Sequence, residues 1–273
     1  MTDVSAARVP HPRGPKAEHD HPVAAFHAVW RDFVAASRGG SYEVTAGIAR
    51  ARTQLPAPSF NGVWALDRRV DVAALMAAVD EFAAADLPWN LQLRPGYPSE
   101  VDDLLAARGL VVTGDIPLMQ LTDPSQLEAA AAVPGLAVRP AYTYNDIDSA
   151  LTLLERGFEM PHELVRDLLS LRALLLPESA TWIGAVGGED VTTALAAVRL
   201  GVSGVFNVAT PAEHRGRGYG AAITAHAVLQ DLAGGARSAV LQSSAMGFRV
   251  YERIGFETIE TWRQWMPATY AEH

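Results

Sequence analysis

The chain of 273 residues contains no cysteine, which excludes disulfides, thiolate zinc sites and a cysteine nucleophile. Lysine is almost missing too: Lys16 is the only one among 22 basic residues, and 31 acidic residues leave a net charge of −9. Nucleic acid needs a basic face, so this balance argues against such a partner and favours a small-molecule acceptor. No run of eighteen apolar residues occurs, and the N-terminal stretch is polar and proline-rich rather than basic and then apolar. The expectation is a cytoplasmic protein without a membrane partner. What is present, 49% hydrophobic and 19% charged residues, suffices for one large or two modest globular domains.

The most informative stretch is Val205-Phe206-Asn207-Val208-Ala209-Thr210-Pro211, followed by Ala212-Glu213-His214 and Arg215-Gly216-Arg217-Gly218-Tyr219-Gly220. β-prone residues before Pro211 predict a strand, and Ala221, Ala225, Val228, Leu229 and Leu232 at helical spacing predict a helix. Three glycines between them remove side chains where the backbone turns. Its N–H groups are then free to converge on an anion at the positive end of the helix dipole, with Arg215 and Arg217 adding charge.

Two readings fit this turn. Gly216-x-Gly218-x-x-Ala221 matches a dinucleotide fingerprint, but that fold wants an acidic residue at the end of the next strand. The next strand reads Ser238-Ala239-Val240-Leu241-Gln242-Ser243-Ser244, with no carboxylate, and too little chain follows for a doubly wound sheet. The alternative is the GNAT acyltransferase superfamily. Its phosphate-loop pattern, Gln/Arg-x-x-Gly-x-Gly/Ala, is met by Arg215, Gly218 and Gly220, and its Tyr-Glu-x-x-Gly-Phe by Tyr251-Glu252-Arg253-Ile254-Gly255-Phe256. The chain resembles that superfamily in both motifs, in their order and in their separation.

Elsewhere the chain reads as an arm over residues 1–21, in which His19 and His21 lack the further ligands of a metal site, and then a helix over 23–36. Strands are expected near 42–49 and 60–66, a helix over 71–85, a strand at 88–93, a helix from Ser99 to Arg108, and a strand over 110–121. The order strand, helix, strand, helix, glycine, strand returns at 203–209, 219–233, 238–243, 246–254, Gly255 and beyond. Leu91-Gln92 and Leu241-Gln242 lie 150 positions apart, and Gly109 and Gly255 lie 146 apart.

The expected architecture is therefore α/β with a mixed sheet, built from two GNAT-like units in tandem. Residues 22–130 form a degenerate unit and 135–273 the catalytic one, joined by the alanine-rich segment 122–134. Helices at 145–157 and 161–175 and strands at 180–187 and 191–200 complete the second unit. Between strand and helix the first unit offers Leu66-Asp67-Arg68-Arg69-Val70-Asp71. It has no glycine there, and Asp67 and Asp71 would cap the helix and repel an anion. Its expected role is to pack on the second unit and shape the acceptor pocket.

The resemblance implies an acetyl-CoA-dependent N-acetyltransferase that needs no metal and acts on the amine of a small molecule: a metabolite, an antibiotic or an amino sugar. It implies that Asn207, Val208 and Ala209 line the pantetheine arm, and that Arg215, Gly216, Arg217, Gly218, Tyr219, Gly220 and Ala221 hold the diphosphate. Tyr251 corresponds to the family's general acid, and Ser244 stands where the family often has asparagine near the cofactor. No carboxylate occurs over 201–208, which excludes a base on that strand; Glu159, His162 and Glu163 are the candidates for action through water. His214 and Glu213 are expected to be exposed, and His226 to be packed or at the surface. A non-catalytic acyl-CoA sensor, and an acyltransferase with another donor or an oxygen acceptor, remain alternatives.

Overall fold

The computed structural model describes residues 17–168 and 176–271. Most of the expected arm lies outside them. Its described end is already helical, a 3-10 turn over Ala17–His19 running into helix α1 (Asp20–Ala36), with His19 buried. The first unit continues with strands β1 (Ser41–Thr45), β2 (Ile48–Arg52) and β3 (Gly62–Ala65), helix α2 (Val72–Ala83), β4 (Asn90–Leu93), α3 (Glu100–Ala106) and β5 (Leu110–Leu121). The second holds β6 (Leu136–Pro140), α5 (Tyr144–Phe158), α6 (His162–Leu168), β7 (Ser179–Val186), β8 (Glu189–Arg199) and β9 (Val202–Ala209). It closes with α7 (Tyr219–Ala233), β10 (Ser238–Gln242), α8 (Phe248–Arg253), β11 (Phe256–Pro267) and the short α9 (Ala268–Ala271). Of the expected 161–175 helix, residues 169–175 lie outside the described residues.

Several local expectations need correction. The strand expected over 42–49 is a hairpin, because Ala46 and Gly47 both take left-handed φ values and fold β2 back on β1. Asp71 does cap α2, its carboxylate accepting from the Ala74 amide at 3.0 Å. Asp67 does not; it lies against Gly47, where a β-carbon would sit 2.1 Å from its Oδ2. Ser99 makes no capping bond to α3. The joining segment is not a bare linker: α4 (Leu127–Ala131) packs on α7, and Leu127 is buried.

All eleven strands form one sheet in the order β1-β2-β3-β4-β11-β5-β10-β9-β8-β7-β6. Within each unit the third-last and second-last strands are parallel, β3 with β4 and β9 with β10. The last strands are exchanged: β11 pairs with β4 of the first unit, and β5 pairs with β10 of the second. The two exchanged strands then pair antiparallel along their whole lengths, with Ile116 opposite Trp262. Those two positions differ by 146, the spacing of the stop glycines, so a pseudo-twofold axis passes through this pair. The exchange leaves no inner sheet edge and makes the two units one body.

Side-chain chemistry follows the symmetry. Gln242 donates from Nε2 to Gln92 Oε1 at 2.9 Å, joining the two repeat-related glutamines across the axis. Helix α1 lies over both units: Phe26 packs with Trp64, Leu118, Val240 and Trp262, and Val29 packs with Leu195 and Ala197. Among the described residues no helix is long and apolar enough to cross a membrane.

Candidate active site

The glycine turn takes the shape its residues allow. Gly216 and Gly218 have φ values of 76° and 83°, and a β-carbon on Gly216 would meet no atom within 4 Å. Gly218 is the N-cap of α7 and offers no side chain to it. Among the described residues, no carbonyl or side chain accepts from the amides of Gly216, Arg217, Gly218, Tyr219, Gly220 or Ala221. Six consecutive donors at a helix N-terminus make a built anion site, and the residues present fit a diphosphate.

Arg215 behaves otherwise. Its Nε donates to Thr210 O at 3.0 Å, its Nη2 to Gly157 O at 2.8 Å, and its amide to Ala212 O. The guanidinium ties the turn to α5 rather than reaching over it. The approach of α5 depends on Gly157, since a β-carbon there would come 2.8 Å from Ala209 Cβ. His214, expected to be exposed, is buried beside Glu189 at 3.3 Å; Glu213 is exposed and paired with Arg156. His226 packs edge-on to Trp182 with ring centroids 4.6 Å apart, and burial holds its pKa below the usual imidazole value.

Ahead of the turn, the parallel strands part. β9 and β10 stay in register only to Gly204 opposite Val240. Beyond it, a bulge in β9 against β8 places Asn207 in the left-handed region, which asparagine tolerates better than most residues. A cleft of about 340 Å³ opens at this parting, and Asn207, Val208, Ser244 and Tyr251 all line it. Ala209 is buried beside it against Gly157.

Tyr251 sits on α8 with its ring edge-on to Phe256, and Gly247 gives it room: a β-carbon there would be 2.8 Å from Tyr251 Cε2. Burial pushes the phenol up to about 12, so it stays protonated through the physiological range. The same burial raises the pKa of a thiol lodged beside it, which keeps proton transfer between them within reach.

The first unit lacks this opening. β3 and β4 pair along their full length, from Gly62 with Asn90 to Ala65 with Leu93. The repeat spacing that relates Gln92 to Gln242 relates Arg94 to Ser244. Arg94 is 3% exposed and donates to Glu260 at 2.9 and 2.5 Å, to Asp20 at 2.9 Å and to Leu66 O at 2.5 Å. Burial opposes its charge, yet the Glu260 and Asp20 carboxylates hold its pKa above the ordinary value. A guanidinium thus fills, in the first unit, the place that stays open in the second.

The opposite wall of the cleft was not legible in the sequence. It comes from the first unit: Trp30 of α1, Phe60, Trp64 of β3, Asn90 and Gln92 of β4, and Ile116 of β5. Gln92 carried a prior signal, its place in the repeated Leu-Gln pair. Of the proposed bases, His162 is held between Glu155 and Arg166 on the exposed side of α5 and α6, and Glu159 and Glu163 are exposed; none lines the cleft. Trp182, Trp262 and Trp265 do not line it either, and Trp262 and Trp265 are core residues.

Comparison with known proteins bears on the same region. Residues 137–259 match the family model described as acetyltransferase (GNAT) domain. Over that span the chain is similar to a GNAT domain. Solved structures extend the likeness to the whole architecture. A GCN5-related N-acetyltransferase from Kribbella flavida is 21% identical, with a TM-score of 0.65 over 89% of this chain and 95% of its own. One from Sphaerobacter thermophilus is 16% identical, with a TM-score of 0.57 over 95% and 96%. A glucosamine N-acetyltransferase region of a fungal multi-domain GH3 β-N-acetylglucosaminidase is 12% identical, with a TM-score of 0.56 over 97% of this chain and 39% of that one. At these identities the likeness is one of fold. A search of curated proteins gives no match. The matched span thus begins at β6 and ends within β11, and the first unit is held to it by the exchanged strands.

Proposed function

We propose that the protein is a cytoplasmic, acetyl-CoA-dependent N-acetyltransferase that modifies the amine of a small molecule, with donor binding in the GNAT domain alone. The observation that carries this reading is the continuity of three features: six unpaired amides at the start of α7, the parting of β9 from β10, and Tyr251 inside the resulting cleft.

When bound, acetyl-CoA supplies the acetyl group in activated thioester form. The amides from Gly216 to Ala221 hold its diphosphate, and the unpaired edge of β9 at Asn207, Val208 and Ala209 aligns the arm by strand addition. Ser244 adds a hydroxyl in place of the longer asparagine amide. Tyr251 keeps its proton until a thiolate develops beside it and then donates from its hydroxyl. That proton donor supports an enzyme over a mere acyl-CoA sensor, which would need none. The first unit closes the acceptor side and, with Arg94 filling its own gap, takes no donor.

Titration calorimetry with acetyl-CoA followed by a thiol-release assay tests the proposal. Tyr251→Phe is expected to slow turnover at least tenfold while acetyl-CoA affinity holds. Unchanged turnover would remove Tyr251 from the chemistry, and absence of acetyl-CoA binding would end the reading.

A further inference from the structure

The acceptor side of the cleft has a chemical character of its own. Trp30, Phe60, Trp64, Ile116 and Phe206 give it aromatic and aliphatic walls, and Asn90, Gln92, Gln242 and Gln264 give it carboxamides. Among the described residues that line it, none carries a charge, and the only ionisable group is the phenol of Tyr251. The nearest imidazole behind the wall, His27, stacks on Trp262 at 5.4 Å and is held neutral by burial, its pKa pushed down to about 3. Two buried polar atoms of lining residues have no hydrogen-bond partner among the described residues: the donor Trp30 Nε1 and the acceptor Asn90 Oδ1. Asn90 is fully buried and fixed by its amide, which donates to Pro58 O at 2.7 Å.

From this geometry we propose that the acceptor is a weakly basic aromatic amine bearing an uncharged hydrogen-bonding group such as a carboxamide, bound in its neutral form. This rests on the acetyltransferase reading above and specifies its substrate class. A lysine-like amine, with a pKa near 10.4, is neutral in only about one molecule in 2,500 at pH 7. Its cation would enter an uncharged cleft, losing water with no counter-charge to offset the loss. Cation–π contact with Trp30 or Trp64 returns too little to offset that. An arylamine, its lone pair delocalised into the ring, arrives neutral and lays its flat body on the aromatic wall. Its amide edge lies among the carboxamides of Gln92, Gln242 and Gln264.

The absence of a base in the cleft then becomes consistent with the chemistry. The acceptor nitrogen adds to the thioester carbon, and the nitrogen of this adduct, which bears a positive charge, releases its proton to water. The C–S bond then breaks as the carbonyl re-forms, the sulfur takes the Tyr251 proton, and the protonated water returns a proton to the phenolate. While the carbon is tetrahedral, an aryl nitrogen is acidic enough to lose its proton to water unaided. An alkyl one holds its proton far more tightly.

The test uses a matched pair of probes, 4-aminobenzamide and 4-(aminomethyl)benzamide, which share the carboxamide and ring and differ in amine basicity. Calorimetry on the full chain at pH 7 is expected to give at least tenfold tighter binding of the arylamine. That gap should narrow as pH rises and the alkylamine becomes neutral. Trp30→Leu should weaken arylamine binding at least tenfold and leave acetyl-CoA affinity unchanged. Gln264→Glu, which retains the oxygen that accepts from Thr113, should shift preference toward the alkylamine by supplying the missing charge. Equal or tighter binding of the alkylamine at pH 7, or no arylamine binding by a protein that binds acetyl-CoA, overturns this proposal and leaves the donor reading intact. Failure to bind acetyl-CoA overturns the donor reading instead.

Discussion

The buried pair of Arg94 and Glu260 should be the most sensitive point in the joint between the two units. Glu260 has no exposed surface and accepts from Arg94 twice and from Trp262 Nε1 at 3.0 Å. Replacing Glu260 with Ala leaves Arg94 with Leu66 O and the half-exposed Asp20, and leaves the Trp262 N–H unpaired. Breaking a buried pair from one side costs about 3–5 kcal/mol, because the surviving charge stays out of water. Against a typical total of about 5–15 kcal/mol, that is a large share, equivalent to a fall in Tm of roughly 10 °C. Removing both charges should cost much less. The double variant Arg94→Met with Glu260→Gln retains an oxygen for Trp262 and is expected to recover at least half of the loss. Urea unfolding of the wild type, the single and the double variant measures this. A single variant within about 1 kcal/mol of wild type, or a double variant no better than the single, would refute the assignment of this pair as the desolvated joint.

Three further outcomes follow from other sites. His27 has a folded pKa of about 3 against an unfolded value of 6.5; both states are neutral above 6.5, so its contribution is full there and is lost as pH falls toward 3. By pH 5 this amounts to about 2 kcal/mol, and His27→Phe should lose correspondingly less stability than wild type between pH 7 and 5 in urea titrations. Gly216→Ala should cost about 1–2 kcal/mol of stability through its φ of 76° alone, since a β-carbon meets no protein atom there. Its larger effect, a loss of at least tenfold in acetyl-CoA affinity by calorimetry, would come from that β-carbon standing over the amides. Gly247→Ala should displace the Tyr251 ring and slow turnover at least tenfold with acetyl-CoA affinity preserved; full activity would show that the ring position does not matter.

Local features were legible in the sequence because they are set by neighbours along the chain. The strand ending before Pro211, the glycine turn and α7 follow from alternation, helical spacing and the conformational freedom of glycine, and the boundaries of β5 came out residue for residue. The repeat was visible in the two Leu-Gln pairs. The hairpin at Ala46-Gly47 escaped notice because alanine seldom adopts a left-handed φ, and only pairing between β1 and β2 forces it.

By itself the sequence determined two units of like topology, the loss of glycine from the first turn, and the chemistry of the second turn. The tertiary structure decided that each unit surrenders its last strand to the other, a choice made by long-range pairing between residues nearly 150 positions apart. That choice decided the rest of the site. It set Arg94 against Glu260, brought Gln92 to Gln242, and turned Trp30, Trp64 and Asn90 of the first unit into a wall facing Tyr251 of the second. No local pattern could encode these contacts, because they depend on which strand edge each unit leaves open.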